Sequence, residues 1–100
     1  MRNVVLFCAA GMSTSLMVNK MQKAADDCGY DAKIAAYPIA EASEHGPSAD
    51  VIMLGPQVRF ELDRIKGMFP DKPVIAIDMM AYGMMDGKKV FEQARAAIGD

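Results

Sequence analysis

The chain has 100 residues, 52% of them hydrophobic, and a formal net charge of −2. This length and composition predict one domain over residues 1–100 with its own core. The charge balance argues against a nucleic-acid partner, and no apolar run approaches the ~20 residues that cross a bilayer. The N-terminus lacks the layout of a signal peptide, and the two cysteines favour a reducing compartment over a disulfide scaffold. We therefore expect a soluble, cytoplasmic protein.

Predicted strands and helices alternate from the N-terminus. Val4 to Cys8 is an apolar run typical of a strand buried on both faces. Ser15 to Cys28 carries apolar residues at helical spacing, so we expect a helix that places Cys28 in the core, with Gly29 just past its end as the C-terminal cap. Asp31 to Tyr37 predicts a second strand, and Ala40 to His45 a short helix.

The second half repeats this alternation. Val51 to Leu54 predicts a buried third strand, and the apolar stripe from Val58 to Phe69 predicts a helix. Val74 to Ile77 predicts the fourth strand. After a methionine-rich loop, a stripe from Val90 to Ile98 predicts the last helix, with Asp86 as its N-cap.

Strands that are apolar throughout and alternate with helices predict an α/β fold. We expect a four-stranded parallel sheet of order 2-1-3-4 with helices on both faces. In such sheets ligands bind at the carboxyl ends of the strands, where the strand order reverses. Here that point lies between the first and third strands. It places Cys8 at the centre of the site and the Gly55-Pro56-Gln57 loop beside it.

The loop that follows Cys8 has the features of a phosphate-binding loop. Its backbone amides lead into the N-terminus of a predicted helix, which attracts anions, and its hydroxyl side chains add donors. A helix N-terminus also stabilises a thiolate, so Cys8 is a candidate nucleophile toward phosphorus. The alternative is a cysteine that packs as a small hydrophobic residue at a strand end. The predicted phosphate-binding residues are Ala9, Ala10, Gly11, Met12, Ser13, Thr14 and Ser15.

Other chemistries match the sequence less well. No second cysteine follows Cys8 at redox-motif spacing, and no lysine completes a Walker A motif. The single histidine, His45, lies in an acidic stretch and is expected to be solvated. The cysteines and the histidine are too dispersed for a metal site, and a helix would hold Cys28 roughly 20 Å from Cys8, too far for a disulfide. We expect no metal and no cofactor.

The layout of a cysteine after the first strand and a phosphate loop resembles the low-molecular-weight tyrosine phosphatases. Their motif has an arginine six residues after the cysteine, where this chain has Thr14. An arginine that clamps a transferring phosphoryl group contributes on the order of 10³–10⁵ in rate. The sequence therefore predicts a site that accepts a phosphoryl group and hydrolyses it poorly.

Four sequence blocks resemble the IIB components of the lactose/cellobiose class of the sugar phosphotransferase system: LFCAAGMSTSLMV (6–18), ADVIMLGPQV (49–58), KPVIAID (72–78) and YGMMDG (82–87). The resemblance implies that Cys8 takes a phosphoryl group from a phosphohistidine of the IIA component. It then passes the group to a sugar held by the membrane permease IIC, at the inner face of the membrane. The sugar stays open among cellobiose, chitobiose, lactose and other β-linked sugars. The resemblance also gives supporting roles to Gln57, Asp78 and Tyr82.

Two other functions stay open at this point: a stand-alone cysteine phosphatase, and a non-catalytic regulatory relative. The chain also contains ten methionines, several of them near the predicted site. Methionine adapts to more than one partner surface, so these side chains are candidates for docking IIA and IIC, or else they fill the core. The candidates are Met12, Met79, Met80, Met84 and Met85.

Overall fold

The computed structural model describes the backbone of residues 1–9 and 12–100 and the side chains of residues 1–9 and 15–100. Short 3₁₀ helices cover Ile39–Glu41, Gly46–Ser48 and Pro56–Glu61. The described strands and α-helices, in chain order, are β1 (Arg2–Cys8), α1 (Met12–Asp27), β2 (Ala32–Pro38), α2 (Ala42–His45), β3 (Val51–Leu54), α3 (Leu62–Met68), β4 (Val74–Ala76), α4 (Met79–Gly83) and α5 (Gly87–Ile98).

The four strands form one parallel sheet of order β2-β1-β3-β4. In its register Val4 pairs with Ile34 of β2 and Val51 of β3, and Ile52 pairs with Val74 of β4. The predicted sheet and strand order are confirmed. The order reverses beside β1, so the chain that leaves β1 and the chain that leaves β3 border the same crevice.

Two apolar layers cover the sheet because successive side chains of β1 point to opposite faces. Val4 and Leu6 pack in the layer formed with α1, α4 and α5. Val5 and Phe7 pack in the layer formed with α2 and α3. Leu6 and Phe7 are both fully buried. Because both faces are buried, the strands appear in the sequence as continuous apolar runs.

The ends of the long helices follow local sequence signals. After α1, Gly29 adopts a left-handed φ of 71°, and the Tyr30 amide donates to the Ala25 carbonyl at 2.9 Å. The predicted cap of α5 is confirmed, because the Asp86 side chain accepts a hydrogen bond from the Lys89 amide at 3.1 Å. Both helix ends depend only on residues within one helical turn, so they can be recognised from the sequence.

The prediction that Cys28 is a core residue is wrong. Helix α1 begins at Met12, before the predicted start, and ends at Asp27, so Cys28 falls in the turn that follows the helix. Its side chain is exposed, and its Sγ donates to the Ala25 carbonyl at 3.4 Å. The apolar spacing that included Cys28 continued beyond the last helical residue.

Two other segments differ from the prediction. The stripe from Val58 to Phe69 is divided into a 3₁₀ helix and α3, and Val58 inside the first part has a non-helical φ of −121°. The methionine-rich loop contains a short helix, α4, that the sequence did not predict. No helix within the described residues is long and apolar enough to cross a membrane.

Candidate functional site

Cys8 is the last residue of β1, and the strands on its two sides lead to the same edge. Cys8 pairs with Pro38 of β2, and the preceding Phe7 pairs with Leu54 of β3. Helix α1 begins four residues later, at Met12. The sheet thus places the thiol at the strand-order reversal, directly before the N-terminus of the longest helix in the described residues.

The side chain of Cys8 is recessed. It is only 2% exposed, and its Sγ lies 3.9 Å from the Tyr37 carbonyl oxygen, a long contact for a thiol donor. Alternation along β1 puts Cys8 on the same face as Val4 and Leu6, which is the face covered by α1 and α5. A group that reacts with this thiol must therefore approach from the carboxyl edge of the sheet.

Gly55, just after β3, keeps space open beside the thiol. Its amide donates to the Phe7 carbonyl at 2.9 Å, which extends the β1–β3 ladder to the edge. A Cβ added at Gly55 would lie 3.7 Å from the Cβ of Cys8 and 3.1 Å from Oε1 of Gln57. The loop after β3 is thus a neighbour of Cys8, as the strand order predicts. It brings the amide of Gln57 to the site, while the supporting role of Gln57 stays a prediction.

The predicted phosphate-binding loop is described in part. Ala9 is exposed in a bend, and the exposed Ser15 lies in α1. The backbone of Met12, Ser13 and Thr14 forms the first turn of α1. The predictions for Ala10 and Gly11, and for the side chains of 12–14, lie outside the described residues. The described backbone supplies the first-turn amides of a 16-residue helix, and such amides are unsatisfied within the helix and favour anions.

Asp78 and Tyr82 have structural contacts. Asp78 caps α4, where its Oδ2 accepts from the Ala81 amide at 3.3 Å, and its own amide donates to Gln93 at 3.0 Å. Tyr82 is buried in the apolar layer on the face that carries Cys8. Asp78 is exposed at the carboxyl edge. The cap and the core contact account for these positions, and the supporting roles of both residues stay predictions.

Large apolar side chains are exposed on the segments that leave the carboxyl edge. The most exposed are Phe60 at 78%, and Met80 and Met84 at 73% each. Arg59 joins two of these segments, because its Nη1 donates to the Met79 Sδ at 2.8 Å. Arg59 was not predicted from the sequence, where its only signal is its position two residues after Gln57. We call this set the edge patch: Leu16, Phe60, Met79, Met80 and Met84.

His45 is half-buried, so it is only partly solvated. Its ring stacks on Tyr37 with 3.5 Å between centroids, and its Nε2 lies 3.0 Å from Glu41. With Glu44, these groups form the one set of three possible metal ligands within 4.8 Å of one another among the described residues. Two carboxylates and one imidazole are the minimum set of protein ligands for a metal ion. Nothing else among the described residues of this segment indicates that an ion binds there.

Residues 3–93 match the model of the family described as "PTS system, Lactose/Cellobiose specific IIB subunit". The chain belongs to this family. It is 44% identical over 97 residues to the oligo-beta-mannoside-specific EIIB component of Bacillus subtilis, covering 94% of this chain and 93% of that one. It is 46% identical over 98 residues to the cellobiose-specific EIIB component of Lactococcus lactis, covering 91% of each.

The fold agrees with a solved relative. The solution structure of the cellobiose-specific phosphotransferase IIB component from Borrelia burgdorferi matches with a TM-score of 0.80 and 36% identity, over 98% of this chain and 92% of that one. A lactose-specific EIICB component of Lactococcus lactis matches over 64% of this chain and 11% of its own length, at 34% identity. Members of the family are phosphotransferase components of sugar transport that work with a IIC permease. The family resemblance found in the sequence is confirmed.

Proposed function

We propose that this protein is a phosphocarrier whose Cys8 alternates between thiolate and phosphocysteine. The thiolate attacks the phosphorus of a phosphohistidine on the IIA component, so that an S–P bond forms and the N–P bond breaks. A sugar hydroxyl then attacks the same phosphorus, the S–P bond breaks, and the thiolate is regenerated. The hydroxyl proton passes to a base outside this chain. Neither step requires a metal or a cofactor.

The observation that carries this proposal is the position of the thiol. Cys8 ends β1 where the strand order reverses, and the first-turn amides of α1 follow within the next residues. These amides compensate negative charge on phosphoryl oxygens without an arginine. Gly55 has no side chain beside Cys8, where an added Cβ would lie 3.7 Å from the Cβ of Cys8. The proposed phosphate-binding residues are those predicted from the sequence, from Ala9 to Ser15.

The exposed apolar side chains support a role for this edge in docking. The edge patch lies on segments that leave the same edge of the sheet as Cys8, and flexible methionines adapt to differently shaped partners. A phosphocarrier must present the same sulfur to a donor and to an acceptor. We therefore assign the edge patch to contacts with IIA and with the cytoplasmic side of IIC. We also propose that the protein is one domain over residues 1–100, and that it lies in the cytoplasm and contacts the membrane transiently through IIC.

The transported sugar is proposed only as a class. Relatives at 44% and 46% identity are named for an oligo-β-mannoside and for cellobiose, so overall similarity does not separate these substrates. The acceptor sugar is held by IIC, and the side chains of this chain need only reach one hydroxyl. We propose a β-linked disaccharide of the cellobiose, chitobiose or lactose type as the acceptor.

Phosphorylation assays on single-cysteine variants test the assignment. The protein is incubated with phosphoenolpyruvate, the general phosphotransferase proteins and a cognate IIA, and intact mass is then measured. Wild type is expected to gain one phosphoryl group, and Cys8→Ser none, because a hydroxyl is a far weaker nucleophile than a thiolate. Cys28→Ser is the matched control, since it removes the other thiol of the chain.

The control is expected to be phosphorylated like wild type. Phosphorylation of Cys8→Ser at the wild-type rate would contradict the assignment. An unphosphorylated wild type in the presence of an active donor would instead support a regulatory relative. Rapid turnover of an aryl phosphate without any partner protein would identify a stand-alone phosphatase.

A further inference from the structure

A second concave site lies between α1 and α5, away from Cys8. It is a groove of about 490 Å³, a volume within the range of small-molecule sites. Its lining runs along both helices and includes Lys20, Cys28, Phe91 and Arg95. Because α1 runs antiparallel to β1, Cys28 at its far end lies toward the amino edge of the sheet. The groove is therefore separate from the carboxyl-edge site.

The groove is positively charged although the chain as a whole is negative. Four of the eleven lysines and arginines line it, against two carboxylates. One of those lysines, Lys23, pairs with one of the carboxylates, Asp27, at 3.0 Å. Lys20 and Lys88 form no ion pair within the described part of the chain, and Glu92, the other carboxylate of the lining, lies one turn after Lys88 on α5. The four positive charges of the lining still exceed its two negative charges.

The packing of the helices places both lysines on the lining of one groove. A Cβ added at Gly87 would lie 2.4 Å from the Cβ of Lys20, so the start of α5 rests directly on α1 at this residue. Lys88 follows Gly87 in the chain. Two lysines that line one groove can each contribute a point charge that binds a phosphate, sulfonate or carboxylate.

The lining also contains an aromatic ring that is fixed by its neighbours. Phe91 is held edge-to-face against Tyr30 with 5.4 Å between ring centroids, and Arg95 lies over the same Tyr30 ring at 4.7 Å. Ala24 and Phe91 are the hydrocarbon side chains of the lining, and Phe91 is 3% exposed. They give the organic part of a ligand an apolar surface to contact among the charged side chains.

We propose that this groove binds a small organic anion with an apolar body. The anionic group lies between Lys20 and Lys88, and the body covers Ala24 and Phe91. The proposal is independent of the phosphocarrier function, because it uses neither Cys8 nor the edge patch. It assigns the α1–α5 face of the protein to a ligand rather than to the phosphoryl-transfer partners.

Fluorescence titration with 8-anilinonaphthalene-1-sulfonate, an apolar anion, tests the proposal. Wild type is expected to bind the probe saturably and more weakly as salt is added. Lys20→Glu/Lys88→Glu is expected to raise the Kd by roughly tenfold or more, because two attractions become repulsions. Lys33→Glu/Lys66→Glu is the matched control: it changes the net charge equally at two exposed lysines outside the groove.

Cys28 supplies an independent readout because it is exposed and lines the groove. Bound probe is expected to slow alkylation of Cys28, as followed by mass spectrometry of the peptide that contains it. No saturable binding, equal loss of affinity in the control pair, salt-independent binding or unchanged alkylation of Cys28 would each overturn the proposal. So would self-association that is lost in Lys20→Glu/Lys88→Glu, since the occupant would then be a second copy of this chain.

Discussion

The two edges of the sheet are built from different chemistry. At the amino edge, charged groups contact one another: Arg2 pairs with Asp100 at 3.0 Å and lies 3.9 Å from Asp50, and the Tyr30 hydroxyl donates to Asp100. At the carboxyl edge, the recessed thiol of Cys8 is bordered by segments that expose large apolar side chains. One edge is occupied by contacts within the chain, and the other exposes the edge patch, which we propose contacts other molecules.

We expect this difference to separate stability from the proposed phosphoryl transfer in space. The hydrogen bond from Tyr30 holds the pKa of Asp100 below its ordinary value, and the contact with Arg2 acts in the same direction. Such a shift means that the folded state favours the charged carboxylate. Exposed methionines and a phenylalanine contribute little to folding, and contiguous exposed apolar surface marks interaction sites. Substitutions at the two edges should therefore alter different measurements.

The largest effect is expected at the carboxyl edge, from Thr14→Arg. The motif of the low-molecular-weight tyrosine phosphatases has an arginine at this position. The charge of that arginine stabilises the transition state in which the phosphoryl group leaves the cysteine. We expect the phosphocysteine of Thr14→Arg to hydrolyse roughly tenfold faster than that of wild type, or more. The measurement is the decay of labelled phosphoprotein without IIC, with circular dichroism to confirm the fold.

Asn19→Arg is the control for Thr14→Arg. It adds the same charge to an exposed position of α1, more than one helical turn after Thr14. Its phosphoprotein should decay like wild type. If Thr14→Arg is folded and phosphorylated but decays at the wild-type rate, the missing arginine is not what protects the intermediate.

Much of the carboxyl edge could be predicted because its signals are local or follow from the sheet. The apolar runs of β1 and β3 give buried parallel strands, and the strand order then brings Cys8 and Gly55 together. The cap at Asp86 depends on its own side chain and an amide three residues on. The four sequence blocks that resemble the IIB components lie on these same segments.

The remaining features depend on contacts that a sequence does not contain. Cys28 continues an apolar spacing, but the helix ends one residue before it, and the spacing cannot report where hydrogen bonding stops. His45, at the end of α2, is half-buried because Tyr37 of β2 stacks on it. The groove between α1 and α5 exists because two helices distant in sequence pack at Gly87. Each of these requires the tertiary arrangement.

A smaller effect at the carboxyl edge is expected from Gly55→Ala. The backbone of Gly55 has φ −61° and ψ 154°, which alanine adopts readily, so the free energy of unfolding should change little. The added methyl would lie 3.7 Å from the Cβ of Cys8 and 3.1 Å from Oε1 of Gln57, in the space proposed for the phosphoryl group. We expect phosphorylation by IIA to slow several-fold, as followed by rapid-quench kinetics.

Gly67→Ala is the control for this crowding, because a Cβ added at that exposed position of α3 meets nothing within 4 Å. It should leave the rate of phosphorylation unchanged and, as alanine favours helix, should not lower Tm. Wild-type kinetics for Gly55→Ala would show that the space beside Cys8 is not used. A large fall in Tm for Gly55→Ala would show that the two edges are not separable in this way.

The smallest effect is expected at the amino edge, from Asp100→Asn. A carboxyl whose folded pKa is lowered contributes stability above its unfolded pKa of about 3.9, and loses that contribution as the pH falls through the folded pKa. At pH 7 we therefore expect Asp100→Asn to have a slightly lower Tm than wild type. The difference should shrink as the pH is lowered below about 4, where the wild-type carboxyl also becomes neutral.

Asp71→Asn makes the comparison specific, since it removes the same charge from an exposed residue that forms no ion pair within the described part of the chain. Its Tm should match wild type at both pH values, and added salt should narrow the gap between wild type and Asp100→Asn at pH 7, because exposed charges are screened. Phosphorylation by IIA should be unchanged in both variants.

A Tm difference that persists unchanged at low pH would mean that Asp100 acts through packing or a neutral hydrogen bond. Slower phosphorylation in Asp100→Asn would mean that the amino edge is coupled to Cys8 across the sheet, and the division between the two edges would then fail.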